Sequence, residues 1–123
     1  EIENLDIKNS RNDCIDFSGG RYIVQKSDLS RCGDKAISVG EKTLIELGEA
    51  NISYANTGIA SKDSSKTIVN NSTITNTKDC LAAYNKKQEF NGGVIEIKNS
   101  ICKNFYRKKV FDKFSKIELE KDL

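Results

Sequence analysis

Apolar residues recur along this chain at a nearly constant distance. The first such column has a step of about 22 residues, which lies in the range of about 20 to 50 that is typical of solenoids. Each member follows a short polar corner, and the members are Ile15, Ile37, Ile59 and Leu81. In a solenoid each unit buries its apolar face only against its neighbours. The pattern therefore predicts a stack of similar coils.

Two further columns repeat this spacing with one irregularity. In the second column the third step is longer than the others, and the members are Ile23, Ile45, Ile68, Ile95 and Ile117. In the third column the fourth step is longer, and the members are Ile7, Leu29, Ile52, Ile74 and Ile101. Both longer steps fall in the same coil, so we expect one insertion of about five residues there, within residues 86–93.

Within each coil, apolar and polar residues alternate, as they do around Ile45 and Leu47. This period of two indicates short β-strands, about three to a coil. The chain has neither the LxxLxL frame of leucine-rich repeats nor the short period of left-handed hexapeptide helices. The sequence therefore predicts an all-β fold. Because parallel crossovers are almost always right-handed, the expected architecture is a right-handed parallel β-helix of about five coils of about 22 to 23 residues each, one with a short insertion.

The polar residues fit stacked strands joined by tight corners. The chain has no Pro, and a proline could not donate to the hydrogen-bond ladder of a stacked strand. Asn and Ser recur near the expected corners, where their side chains can cap the backbone. We expect a structural role for these residues, which are Asn4, Asn9, Asn51, Asn70, Asn71, Asn99, Ser10, Ser27, Ser72 and Ser100.

Three segments carry a resemblance to a known family: NDCIDFSGG at residues 12–20, CGDKAISVGEK at 32–42 and GIASKDSS at 58–65. With them the chain resembles right-handed parallel β-helix repeat proteins of the pectin-lyase-like superfamily, over about residues 2–119. It is similar in particular to β-helix repeat regions found beside polysaccharide-modifying enzymes such as mannuronan epimerases. Since it has no His and no Pro, it departs from the Asp-Pro-His-Asp pattern of those epimerases. The resemblance implies an extracellular or cell-envelope protein associated with polysaccharide.

Length and charge limit the remaining possibilities. We expect a single domain over residues 1–123, an excerpt of a longer chain with flanking domains, because it opens on Glu1 and its sixth coil stops after Leu119. The net charge of +2 gives no general argument for a nucleic-acid partner. No apolar run approaches the ~18 residues that membrane insertion requires. The basic clusters at residues 86–87 and 107–109 are expected to be solvated edges.

The four cysteines are expected to be free. Cys14 and Cys80 occupy the same column but lie three coils apart, roughly 14 Å at a strand spacing of ~4.8 Å, beyond the ~7 Å Cα limit for a bridge. Cys32 and Cys102 lie near a different corner, also about three coils apart. The spacings match neither a CxxC motif nor a zinc frame. We therefore predict four packed thiols and no disulfide, which leaves the redox compartment open.

A set of polar residues is expected to face outward on adjacent coils at one corner. Strands in a sheet lie about 4.8 Å apart, so these side chains should form one continuous polar patch. Its members are Glu41, Lys42, Lys62, Asp63, Tyr84, Asn85 and Lys86. This patch is the main candidate site in the sequence.

The patch has a binding interpretation and a structural one. In the first, an acidic polysaccharide is held by the positive and hydrogen-bonding side chains, which are Lys42, Lys62, Tyr84, Asn85 and Lys86. In the second, the charges of alternating sign pair with one another on the surface, each pair contributing about 0 to 1 kcal/mol.

A catalytic interpretation names four candidates. A lysine could neutralise a uronate carboxylate while Tyr84, or Lys62 with a lowered pKa, removes the adjacent proton. Alternatively, Glu41 and Asp63 on adjacent coils would lie about 5 Å apart, the separation of the carboxylates in retaining glycosidases. The lack of His and the short chain favour a non-catalytic segment.

Aspartates precede the first apolar column at nearly repeating positions, namely Asp13, Asp34 and Asp79. Stacked carboxylates could bind Ca²⁺, but Asp at a turn commonly accepts hydrogen bonds from its own downstream amides. Lys35 or Lys78 is available to neutralise them. We therefore expect corner caps, and neither a metal site nor a cofactor.

Three functions remain open from the sequence. The chain is a structural or carbohydrate-contacting part of a polysaccharide-associated β-helix protein; or it is the catalytic core of a polysaccharide lyase, epimerase or hydrolase. The third possibility is a solenoid spacer or protein-binding scaffold. We expect the first, with an acidic polysaccharide as the partner and with neither nucleic-acid binding nor membrane insertion.

Overall fold

A computed structural model describes residues 1–120 and shows an all-β chain wound into a parallel β-solenoid of about five turns. Each coil lies on the previous one, since β3 pairs with β1 and β2, β4 with β3, β5 and β6 with β4, β7 with β5, β8 with β6 and β9 with β7. The strands within the described residues are β1 (Leu5–Ser10), β2 (Ile15–Ser18), β3 (Arg21–Gly40), β4 (Leu44–Lys62), β5 (Lys66–Asn70), β6 (Thr73–Tyr84), β7 (Val94–Lys98), β8 (Ile101–Phe111) and β9 (Lys116–Leu119). The predicted stack of coils is confirmed. Residues 1–120 contain no helix with the length and apolar character that a bilayer crossing needs.

The first apolar column is confirmed and forms the centre of the core. Ile15 pairs with Ile37, Ile37 with Ile59, and Ile59 with Leu81. Ile37, Ile59 and Leu81 are at most 1% exposed, whereas Ile15 in the first coil is partly buried. The apolar column ends in β8, where Lys109 lies opposite Leu81.

The second predicted column is wrong at two positions. Ile23 pairs with Glu46 and Ile68 with Glu96, and the Ile23 side chain is 45% exposed. A register shift of one residue turns a side chain to the opposite face of a strand, and the prediction contained such a shift at both isoleucines. The inward columns comprise Tyr22, Ile45, Thr67, Ile95 and Ile117, followed by Val24, Leu47, Val69, Ile97 and Leu119.

The insertion is one residue longer than predicted. Ile74 pairs with Cys102 and not with Ile101, which is 48% exposed. The step from Ile74 to Cys102 exceeds the preceding step, from Ile52 to Ile74, by six residues. The inserted residues form the loop at residues 85–93 between β6 and β7, where the preceding coil has only residues 63–65.

Each coil bends at one corner through a residue with a left-handed backbone. The five residues have φ between 54° and 60°, and the strand registers place them directly above one another. They are Asn9, Arg31, Tyr54, Asn76 and Asn104. A positive φ costs free energy for most side chains, whereas Asn tolerates it comparatively well. The corner role predicted for Asn9 is thus confirmed. Arg31 and Tyr54 adopt a similar positive φ at a higher cost in free energy.

Serines cap a second corner across the coils. The Ser72 hydroxyl accepts a hydrogen bond from the Ala50 N–H at 3.0 Å and donates to the Gly48 carbonyl at 2.6 Å. The Ser100 hydroxyl in turn accepts a hydrogen bond from the Ser72 N–H at 3.0 Å. The predicted structural role of these two serines is confirmed.

The prediction of four free thiols is wrong. Cys14 is bonded to Cys32 and Cys80 to Cys102, with Cα–Cα distances of 5.2 and 6.3 Å. Each disulfide joins two cysteines that occupy different positions within adjacent coils. The prediction compared only Cys14 with Cys80 and Cys32 with Cys102, which lie about three coils apart. Because the cross-section of the solenoid is narrow, these unlike positions come within the ~7 Å limit for a bridge.

Ile37→Asp should unfold the protein, because it places a charge without a partner in the buried column. Ile23→Asp makes the same change at a side chain that is 45% exposed, so its melting temperature should stay close to that of the wild type. Thermal melts followed by far-UV circular dichroism measure both. Equal destabilisation by the two variants would contradict the observed register.

The unfolded protein should show no thiol reactive towards Ellman's reagent when reductant is absent. Peptide mapping should recover the Cys14–Cys32 and Cys80–Cys102 crosslinks. Removing either bridge should lower the free energy of unfolding by about 2–4 kcal/mol, measured by urea denaturation of the Cys14→Ser/Cys32→Ser and Cys80→Ser/Cys102→Ser variants. Four reactive thiols in the untreated protein would contradict the pairing.

Arg31→Asn should increase the free energy of unfolding by up to about 1 kcal/mol, because Asn adopts a positive φ at lower cost than Arg. Arg21→Asn is the matched control, since Arg21 is an exposed strand residue outside the positive-φ set. Asn is disfavoured in strands, so this control should bring no gain. Urea midpoints that rank the two variants in the opposite order would argue against strain at residue 31.

Candidate functional site

The candidate site lies where β3, β4 and β6 end at the same corner. In the registers there, Val39 pairs with Ser61 and Lys62 with Tyr84. Gly40 lies under the Lys62 side chain, because a Cβ atom on Gly40 would approach the Lys62 Cε to 3.2 Å. The coil alignment predicted for this corner is therefore correct.

A cavity of about 170 Å³ opens at this corner. Four residues of the predicted patch line it together, and they are Glu41, Lys62, Asp63 and Lys86. Asp16, Ser18, Gly40 and Lys87 complete the lining. Lys42, Tyr84 and Asn85 belong to the predicted patch but not to the wall of the cavity. We refer to this feature below as the corner cavity.

Asp63 anchors the inserted loop to the corner. It is 1% exposed, and its Oδ1 accepts hydrogen bonds from the N–H groups of Lys86 at 2.7 Å and Lys87 at 2.9 Å. Its own N–H donates to the Tyr84 carbonyl at 3.3 Å. These contacts place the two lysines of the loop beside the cavity.

Asn85 organises the loop from within. Its Nδ2 donates to the carbonyl oxygens of Lys87, Phe90 and Asn91 at 3.0, 2.6 and 2.9 Å. Its backbone N–H donates to Asp112 Oδ2 at 2.7 Å. The side chain predicted to contact a ligand is therefore occupied in holding the loop's shape.

The lysines of the site differ in their partners. Lys87 is paired with Glu41, and the Lys42 ammonium lies 5.9 Å from the centre of the Phe90 ring. Across the part of the chain that the structure describes, the Lys62 and Lys86 ammonium groups have no ion-pair partner. These two charges are therefore the ones available to an incoming anion.

Tyr84 is half-buried beside a charged cluster that the sequence analysis did not connect with it. Burial raises the pKa of Tyr84; Lys35 opposes this shift, while the negative charges of Asp34 and Asp13 add to it. Asp13 Oδ1 accepts a hydrogen bond from the Lys35 N–H at 3.1 Å, and Lys35 Nζ lies 2.9 Å from Asp34 Oδ2. A raised pKa keeps the phenol protonated at neutral pH, which suits a hydrogen-bond donor better than a general base.

Asp79 has a different partner from the one expected. Its two carboxylate oxygens accept hydrogen bonds from Arg107 at 2.7 and 3.1 Å, so Arg107 and not Lys78 neutralises it. The basic cluster at residues 107–109, expected to be a solvated edge, is thus partly engaged in an ion pair. No cluster of three or more His, Cys, Asp or Glu side chains within residues 1–120 is arranged to hold a metal ion.

The sequence analysis also missed a shallow groove on the outer face of the first strand of each coil. Cavities of about 260, 340 and 270 Å³ follow one another there, joined through Ile23, Glu46 and Ile68. The spacing of apolar residues assigns both isoleucines to the core, so it does not reveal this outer face. Val24 and Leu47 form a regular inward column. Since side chains alternate along a strand, this column places the neighbouring Ile23 and Glu46 on the outer face.

The chain matches no protein-family model, no curated protein and no solved structure.

Proposed function

We propose that this β-solenoid is a non-catalytic segment of a polysaccharide-associated protein and contacts an acidic polysaccharide at the corner cavity. The observation that carries the proposal is the pair of lysines, Lys62 and Lys86, which line an outward cavity without ion-pair partners in the described chain. An ammonium group that donates to a carboxylate forms a charge-assisted hydrogen bond, which is stronger than a neutral one. A uronate unit of a polymer supplies such a carboxylate.

The stacked coils suit an extended ligand. Successive coils present like positions about 4.8 Å apart, so a polymer that runs along the solenoid meets an outward side chain at each coil. Binding through surface lysines is weakened by salt, because the Debye length is about 8 Å at physiological ionic strength. Several weak contacts along one polymer chain would therefore set the affinity.

Contacts within the corner support binding over hydrolysis or proton abstraction. Asp63 is buried and its Oδ1 is used by the loop amides, while Glu41 is paired with Lys87. Neither carboxylate is placed as the free member of a hydrolytic pair. The raised pKa of Tyr84 likewise does not favour a base. A lyase, epimerase or hydrolase activity stays a hypothesis, as does the role of a spacer or protein-binding scaffold.

Two disulfides in 123 residues support the proposed extracellular or cell-envelope location. Disulfides persist in oxidising compartments and are rare in the reducing cytosol. The two bridges support this location independently of the family resemblance.

The double variant Lys62→Ala/Lys86→Ala should bind polygalacturonate roughly tenfold or more weakly than the wild type at low salt, since each lost charge-assisted contact removes binding energy. The slope of affinity against salt concentration should also flatten. Lys8→Ala/Lys26→Ala is the matched control, because both of these lysines are exposed on other parts of the surface. Isothermal titration at several salt concentrations measures the affinities.

The two double variants should melt at nearly the same temperature as the wild type, because surface lysines contribute little to stability. Equal affinities of wild type and Lys62→Ala/Lys86→Ala for polygalacturonate would remove the corner cavity from consideration. An equal loss in the control would show that attraction by the overall charge, and not the cavity, causes the binding.

A further inference from the structure

A row of cations follows the corner at which each coil bends through its left-handed residue. The cations lie at that residue, one position before it or two positions after it, and they are Lys8, Arg11, Arg31, Lys78 and Lys103. All five are exposed, and none has an ion-pair partner within residues 1–120. We refer to this row as the cationic ridge.

The ridge keeps its positive charge because few carboxylates oppose it. The carboxylates that follow the corner along the chain are paired with Lys35 or Arg107, and they are Asp13, Asp34 and Asp79. Only Asp6 and Asp28 lie shortly before the corner. The ridge therefore has a clear excess of positive charge, although the whole chain has a net charge of only +2.

Two tyrosines lie on the same ridge and present apolar surface. Tyr54 is 58% exposed and Tyr106 is 81% exposed. Arg31 and Tyr54 hold a positive φ that Asn would adopt at lower cost, and backbone strain of this kind clusters at functional sites. Arg and Tyr are also enriched in protein–protein interfaces. The ridge therefore has the composition of a protein-binding surface.

The groove on the outer face of the first strand of each coil has the opposite charge. Its walls contain two cations, Arg21 and Lys98, and six carboxylates, which are Glu1, Glu46, Glu49, Glu96, Glu118 and Glu120. Glu96 and Glu118 are paired with lysines, whereas Glu46 and Glu49 have no ion-pair partner in the described part of the chain. Glu46 lies between Ile23 and Ile68 of the neighbouring coils. This acidic groove therefore also offers apolar surface.

The ridge and the groove lie on opposite sides of the solenoid and share its spacing. The left-handed corner separates the second and third strand segments of each coil, so it lies across the section from the first segment, which carries the groove. Both surfaces repeat once per coil, at about 4.8 Å. Two solenoids side by side can therefore bring the cations of one ridge to the carboxylates of one groove at a matching spacing.

We propose that a second copy of this chain docks its cationic ridge into the acidic groove of the first. The two surfaces are complementary in charge and in spacing, and both offer apolar surface to the contact. Complementary charges speed association and fix the register of an interface. Because the contact joins two different surfaces on opposite sides of the molecule, its repetition gives a row of copies and not a closed dimer. The corner cavity lies at another corner, so this inference does not rest on polysaccharide binding.

Sedimentation velocity over a concentration series at low salt should show that the wild type forms oligomers that grow with concentration. Added salt should reverse the association, because it screens exposed charges. Arg31→Ser/Lys78→Ser removes two charges from the ridge, and Glu46→Gln/Glu49→Gln removes two from the groove. Each double variant should associate roughly tenfold or more weakly than the wild type. A wild type that stays monomeric at every concentration would overturn the proposal.

Lys109→Ser/Lys113→Ser is the matched control, since it removes two positive charges from exposed residues outside both surfaces. It should associate as the wild type does. Far-UV circular dichroism establishes that each variant is folded. An equal loss of association in the control would show that overall charge, and not the ridge, is responsible, and it would overturn the proposal.

Mixing the two variants tests whether the contact joins unlike surfaces. The ridge variant keeps an intact groove, and the groove variant keeps an intact ridge. An equimolar mixture should therefore form a heterodimer and grow no further, although neither variant associates strongly alone. Failure of the mixture to recover association would overturn the pairing of ridge with groove.

A second measurement uses the wild type alone, so it holds even if a variant fails to fold. A carbodiimide activates a carboxylate, which then forms an amide bond with an amine while the carbodiimide takes up the lost water as a urea. It should link Glu46 or Glu49 of one copy to Lys78 or Lys103 of another. Mass spectrometry of a mixture of isotope-labelled and unlabelled protein identifies links between copies. Links between copies that involve other surfaces only would overturn the proposal.

Discussion

The parallel hydrogen-bond register between successive coils organises this solenoid. Each residue of a coil lies over its equivalent in the coil before, as in the series Ile37, Ile59 and Leu81. Every coil must therefore supply an apolar side chain at the same place, because a unit can bury that face only against its neighbours. The narrow core and the left-handed corners, which recur at the same level of each coil, follow from this requirement.

The candidate site arises where the repeat is interrupted. The six extra residues leave the ladder at Tyr84 and return to it at Val94, and a buried carboxylate, that of Asp63, ties them to the preceding coil. The ladder supplies a rigid corner, while the inserted loop brings Lys86 and Lys87 to the wall of the cavity. Such a division between a fixed scaffold and a loop that carries chemistry is common in proteins.

The composition of the site could be predicted only in part. Coil alignment brought Glu41, Lys62, Asp63 and Lys86 to one place, and the structure shows them lining one cavity. Their individual roles could not be predicted, because the alignment gives the coil in which a residue lies but not the atoms that its side chain contacts. Whether Asp63 faces solvent or the loop amides depends on the path of the inserted loop, which has no counterpart in the other coils.

The fold and the first apolar column follow from the repeat in the sequence, because in a solenoid the spacing along the chain sets the position of a residue in the stack. The face that Ile23 occupies and the pairing of the cysteines, in contrast, depend on the folded arrangement of the coils. A change of one residue in coil length moves a side chain to the opposite face of its strand. Cys14 and Cys32 lie at different positions of adjacent coils. The distance between two such positions depends on how each coil bends at its corners, and the repeat spacing along the sequence does not specify that bend.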